Sequence, residues 1–215
     1  MERPRARFVD GLQRAYSGEL GAATAYRWHA TSLASRVEQA EVTRIGTEEV
    51  DHRERLGRML ALVGAGPRAE LEWRNRLLGT GIGLFCQVGG WFMPMYGAGW
   101  LERRNIVEYE LLAREALQCG RSSFAADLLA MAEVEWEHEL YFRSKAGSHL
   151  FSRVFRTWSP PPPKASIRQG FDDFARQVDD LASPPASSRG SRSCAVLQKL
   201  QARSARAGIA AGPTG

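Results

Sequence analysis

Cysteine is scarce in this 215-residue chain, and its three copies, Cys86, Cys119 and Cys194, form no C-x-x-C pair and no even-numbered set. That excludes a disulfide scaffold and a rubredoxin-like thiolate knot, and it fits a reducing compartment. The opening Met1-Glu2-Arg3-Pro4-Arg5 lacks the apolar stretch of a secretory signal. Strand signals are few. Excess charge is absent from residues 1–182: the formal net charge of +5 is carried by Arg189, Arg192, Lys199, Arg203 and Arg206, with no acidic residue beside them from Ser183 onward. That tail also lacks interleaved aromatics, which argues for a solvated segment and against specific nucleic-acid binding.

What is present is helical periodicity. Phe8, Leu12, Ala15, Leu20, Ala23 and Tyr26 recur at three- and four-residue intervals, so a helix is expected from about Arg5 to Leu33. A second, from about Arg36 to Val63, stops at Gly64-Ala65-Gly66-Pro67, where glycine accepts positive φ and proline lacks the N–H. A third is expected from about Pro94 to Gln118 and a fourth from Arg121 or Ser122 to near Phe151, separated by Cys119-Gly120. Four long helices predict an all-α, four-helix bundle over residues 1–158. Ser159-Pro160-Pro161-Pro162-Pro163 opens a stiff linker over 159–164. A short amphipathic helix is expected over 165–182. From 183 to 215 Pro, Ser, Gly, Ala and Arg dominate, the composition of a disordered tail.

Between the second and third helices, Leu77 to Leu101 carries no charged side chain over 25 residues. By length it could span a bilayer, but seven glycines and Pro94 argue against that. An interfacial or groove-forming segment is the preferred reading, with Trp91, Tyr96 and Trp100 suited to the headgroup level. The alternative is an ordinary buried connector helix.

Two motifs carry chemistry. Glu49-Val50-Asp51-His52 and Glu135-Trp136-Glu137-His138 each present Glu-x-x-His, whose two side chains leave a helix on one face. Glu19 and Glu102 stand alone in the first and third helices, among residues otherwise suited to packing. One Glu, then Glu-x-x-His, then one Glu, then Glu-x-x-His over four helices resembles the inward-facing ligand set of ferritin-like dinuclear carboxylate proteins. Four carboxylates converging in a core would be very costly alone, whereas two divalent cations neutralise them. Carboxylate with imidazole suits iron or manganese better than copper or soft-ligand zinc. His29 and His149 have no such partner and read as surface or core residues.

With Tyr16-Ser17-Gly18-Glu19-Leu20-Gly21-Ala22 and the two Glu-x-x-His motifs, residues 8 to 150 resemble the demethoxyubiquinone hydroxylase family of ubiquinone biosynthesis. The Pro67 to Leu84 stretch, with Trp73 and a Leu-Gly repeat, is similar to that family as well. The chain departs from it in having Tyr16 where histidine is common, and Glu108-Tyr109 in place of a His-Tyr pair. The resemblance implies two iron ions, with manganese an alternative, held by Glu19, Glu49, His52, Glu102, Glu135 and His138. Tyr26 and Tyr109, each two turns beyond a lone glutamate, would be near-site residues.

That resemblance further implies a monooxygenase that hydroxylates the ring of a quinone with a polyprenyl tail. Electrons would come from an external reductant or NADH. The location would be cytoplasmic, peripheral to the inner face of the cell membrane, with a homo-oligomer left open. Two other readings share the ligand logic: a rubrerythrin-like peroxidase or ferroxidase, which the missing C-x-x-C pairs weaken, and a hydroxylase acting on transfer RNA through the basic tail. A non-catalytic helical membrane-surface or partner-binding module is the remaining alternative.

Overall fold

The computed structural model describes residues 2–155 and 158–182, and among these it is all-helical, with no strand. The expected basic tail over 183–215 lies outside the described residues. Six helices follow one another: α1 Glu2–Ser32, α2 Arg36–Leu62, α3 Ala69–Val88, α4 Phe92–Gln118, α5 Ser122–Ser148 and α6 Ala165–Ala182, with a 3-10 turn at Leu150–Arg153.

Their ends have local causes. Ser35 caps α2, its hydroxyl accepting from the Glu38 N–H at 3.4 Å, and Glu38 places negative charge in the first turn. Past the end of α2, Gly64 takes φ of 72° while Ala65 N donates to Leu60 O at 2.9 Å and Gly64 N to Ala61 O at 3.0 Å. This is the left-handed glycine stop that satisfies the last carbonyls. Gly120 repeats it after α4, with φ of 68°.

Packing is uneven. α1 lies against α2 and α3, and more lightly against α4; α5 lies mainly against α4 and lightly against α2; α3 scarcely touches α4. The seam between the α1–α2 and α4–α5 pairs is filled by Tyr26, Val42, Ile45, Met95 and Phe142. Each such large side chain, fully buried, contributes about 1.5–3 kcal/mol.

The uncharged stretch 77–101 is not a single segment. It is the second half of α3, a turn at Gly89-Gly90 and the first turns of α4, and α3 itself begins earlier, at Ala69. Glycines at 79, 81 and 83 look like helix breakers, yet α3 needs two of them for close approach to α1. A Cβ on Gly79 would stand 2.3 Å from the Gly21 carbonyl oxygen, and one on Gly83 would stand 2.7 Å from the Trp28 side chain. No helix among the described residues is long and apolar enough to cross a membrane.

The chain divides into two units, residues 1–168 and 169–215, and of the second only the rest of α6 is described. The proline-rich linker belongs to the first and is pinned there. Trp158 donates to Glu139 at 2.6 Å, Trp136 donates to the Pro162 carbonyl at 2.9 Å, and Arg168 pairs with Glu133 at 2.6 Å.

Candidate metal centre

Seven residues per two helical turns put Glu19 and Tyr26 on one face of α1, and Glu102 and Tyr109 on one face of α4. The two helices run antiparallel, so each tyrosine meets the other helix's carboxylate: the Tyr26 hydroxyl donates to Glu102 Oε1 and the Tyr109 hydroxyl to Glu19 Oε1. From α2 and α5 the two Glu-x-x-His pairs close the ring. All six residues expected as ligands are buried, none more than 4% exposed.

They form two overlapping groups. Ligand atoms of Glu19, Glu49, His52 and Glu135 all lie within 4.8 Å of one another, and so do those of Glu49, Glu102, Glu135 and His138. Glu49 and Glu135 belong to both. Each group adds one further carboxylate and one imidazole. His52 Nδ1 lies 3.1 Å from Glu135 Oε1 and 3.9 Å from Glu49 Oε2; His138 Nδ1 lies 3.2 Å from Glu49 Oε1 and 3.4 Å from Glu135 Oε2.

The centre is short of hydrogen-bond partners. Glu19 Oε2, both oxygens of Glu49, Glu135 Oε2 and His138 Nδ1 are buried with none, the His138 approaches lacking the angle of a bond. Buried polar groups are nearly always satisfied, so five orphaned donor atoms around one point call for an occupant. A divalent cation fits all five: it gives the oxygens and the imidazole lone pair a partner and cancels the carboxylate charge.

Electrostatics agree. Burial, then the neighbouring Glu49, pushes the Glu19 carboxyl well above its ordinary value, and burial with Glu135 does the same to Glu102. Glu135 goes the other way: burial alone would raise it, but the imidazoles of His138 and His52 beside it pull it down. Burial opposes charge on His138 and His52, and carboxylates overcome it, so both imidazoles are raised. Burial and the Glu19 charge hold the Tyr109 phenol protonated, far above its ordinary value.

Two contributors carry no local sequence signal. Glu48 Oε2 accepts from His138 Nε2 at 2.7 Å and is itself held by Arg44, and Asn105 Nδ2 donates to Glu102 Oε2 at 3.0 Å. Glu48 fixes the tautomer: with the proton on Nε2, Nδ1 turns its lone pair inward.

Beside the centre a cavity of about 420 Å³ runs between α1, α3 and α4, with Glu19, Glu102, Tyr26 and Tyr109 in its wall. The rest of its lining is mainly apolar, including Leu78, Ile82, Phe85, Met93 and Leu101. It exists because α3 adheres to α1 and leaves α4 uncovered. No protein-family model, curated protein or solved structure matches the chain.

Proposed function

We propose that this chain is an oxygen-dependent diiron hydroxylase acting on the ring of an apolar quinone. The observation that carries the reading is two buried Glu/His groups sharing two glutamates, with an apolar cavity opening directly onto them. In this reading α1, α2, α4 and α5 form a ferritin-like four-helix bundle and α3 is the added apolar element.

Glu49 and Glu135, together with Glu19 and His52 of one group and Glu102 and His138 of the other, would hold two iron ions, or manganese. Bound there, the metals supply two-electron activation of dioxygen. The net reaction converts a ring C–H to C–OH: one atom of dioxygen enters the ring and the other leaves as water, consuming two electrons from an external reductant such as NADH and two protons, of which NADH carries one and the solution supplies the other.

The protein's own residues do the rest. Glu48 and Asn105 hold the ligands in place, the apolar walls exclude water, and Tyr109 and Tyr26 keep phenolic protons on Glu19 and Glu102. Leu77, Leu84, Phe85 and Val88 of α3, with Trp100 and Leu101 of α4, are exposed apolar side chains flanking the cavity. Such a face suits attachment to the inner surface of the cell membrane, where a polyprenyl quinone resides.

The test supplies iron-loaded protein with a demethoxyquinol, reductant and oxygen, and follows the hydroxylated product by mass spectrometry. Product formed with iron bound supports the reading. Brisk peroxide turnover with no hydroxylated quinone replaces it with a peroxidase.

A further inference from the structure

One buried polar group on the cavity wall takes no part in the centre. His29 sits on α1 ten residues beyond Glu19 and three beyond Tyr26, about 15 Å and 4.5 Å along the helix axis. Its side chain is 2% exposed, its ring stacks on Phe142 with centroids 6.2 Å apart, and its Nε2 has no hydrogen-bond partner. Phe85, Met93 and Pro94, which also line the cavity, carry no side-chain nitrogen or oxygen that could serve as a partner.

Of the other polar side chains of the wall, Glu108 is only half-buried, and the remaining nitrogen- and oxygen-bearing ones are engaged. The two tyrosines donate to Glu102 and Glu19, Asn105 donates to Glu102, Asn75 donates to the Leu71 carbonyl and Arg14 pairs with Asp10. Among the described lining residues, the only buried side-chain nitrogen or oxygen atoms lacking a partner are Glu19 Oε2, in the Glu/His cluster, and His29 Nε2. An unpaired ring nitrogen in such a setting is unfavourable unless something that enters the cavity completes it.

We infer that His29 orients the molecule that occupies this cavity, its Nε2 hydrogen-bonding to an oxygen on the periphery of an otherwise apolar ring. One turn away, Tyr26 touches Glu102. A ring anchored by one oxygen at His29 therefore presents a fixed edge to the carboxylates, and His29 selects which ring carbon reacts. Burial lowers the imidazole to about 4, so the side chain is neutral at pH 7. A neutral imidazole donates to a quinone carbonyl in one tautomer and accepts from a quinol hydroxyl in the other. Both redox forms of one ring are served without a change of charge.

This inference rests on the hydroxylase reading for the identity of the ring, and its test separates the two. Binding of a benzoquinone carrying one isoprenoid unit is measured on the full chain by quenching of tryptophan fluorescence. His29→Leu removes the hydrogen bond, His29→Gln keeps one, and His29→Phe keeps the stack on Phe142 without the bond. Circular dichroism and metal content check that each variant is folded.

The expected result is a roughly tenfold weaker affinity in His29→Leu and His29→Phe, with His29→Gln close to the parent. In turnover, the leucine variant should raise KM and distribute hydroxyl among ring positions. Equal affinity in all four proteins, or no binding by the parent, overturns the inference. Binding that depends on His29 in a protein that forms no hydroxylated product leaves the inference standing and removes the hydroxylase. Hydroxylation with unchanged KM and unchanged product position in His29→Leu does the reverse.

Discussion

Glu48 is next in sequence to Glu49 of the buried cluster, yet it holds a different member of that cluster, His138, from behind at 2.7 Å. Replacing a carboxylate that orients a metal-binding imidazole weakens metal affinity by about 10–100-fold. Glu48→Ala should therefore lose iron in that range by competition with a chelator, Glu48→Gln should recover part of it, and Glu41→Ala, which loses only the neighbouring contact to Arg44, should lose none. A second residue-scale expectation concerns acid. The His29 imidazole is depressed from 6.5 to about 4 by burial, so between those values the unfolded chain holds a proton that the folded chain refuses. Its contribution is intact above pH 6.5 and is lost as pH falls toward 4, by about 3 kcal/mol in full. Urea unfolding at pH 7 and pH 4.5 should show a gap between parent and His29→Gln that narrows or reverses in acid; a gap independent of pH would refute it. The clustering of the six glutamates and histidines was legible because each Glu-x-x-His is a local signal and each lone glutamate breaks an apolar pattern. Tyr26 and Tyr109 were legible from the two-turn spacing, although not which carboxylate each would meet. Glu48 was not, because its partner lies 90 residues away and no periodicity links them. Nothing local marks His29 as a buried nitrogen without a partner, so its sequence context suits surface and core alike.

At the scale of elements, α1, α2, α4 and α5 were legible within a few residues because caps, glycine stops and three- and four-residue spacing agree. α3 was not. Its first half is charged and its second half is uncharged and rich in glycine, so no single periodicity runs through it. The reason for those glycines is tertiary: the α1 and α3 backbones touch where Gly21 meets Gly79. Gly79→Ala would drive a methyl into the Gly21 carbonyl, and overpacking of this kind costs about 1–3 kcal/mol. Gly81 lies two residues on, with nothing within 4 Å of a Cβ built there, so Gly81→Ala should instead stabilise by about 0.5–1 kcal/mol through helix propensity alone. Urea denaturation of the two variants should move the midpoint in opposite directions. Two shifts of the same sign would mean that α3 does not seat on α1 through these residues. The Gly79 variant should also change the cavity, because α3 is one of its walls.

Across the whole molecule, the centre lies on a seam. α1 with α2 and α4 with α5 pack closely as pairs, while contacts from one pair to the other are thinner, and it is there that carboxylates and imidazoles from all four helices meet. Metal ions bound by both pairs would staple the seam. Without them the protein has a partial remedy: Glu19 and Glu102 take up protons and His138 keeps one among Glu48, Glu49 and Glu135, so charge is reduced even though hydrogen-bond partners stay missing. The metal-free chain should thus remain helical and folded but less stable. At metal concentrations near a thousand times the dissociation constant, binding stabilises by about 4 kcal/mol, which for a domain of this size shifts Tm by roughly 10 °C. Chelation should lower Tm by that order while leaving the far-ultraviolet circular dichroism unchanged, and amide hydrogens at the facing turns of α2 and α5 should exchange faster before those between α4 and α5. An unaltered Tm after complete removal of iron would show that the seam is held by packing alone, and that the buried glutamates are satisfied by protons and not by metal.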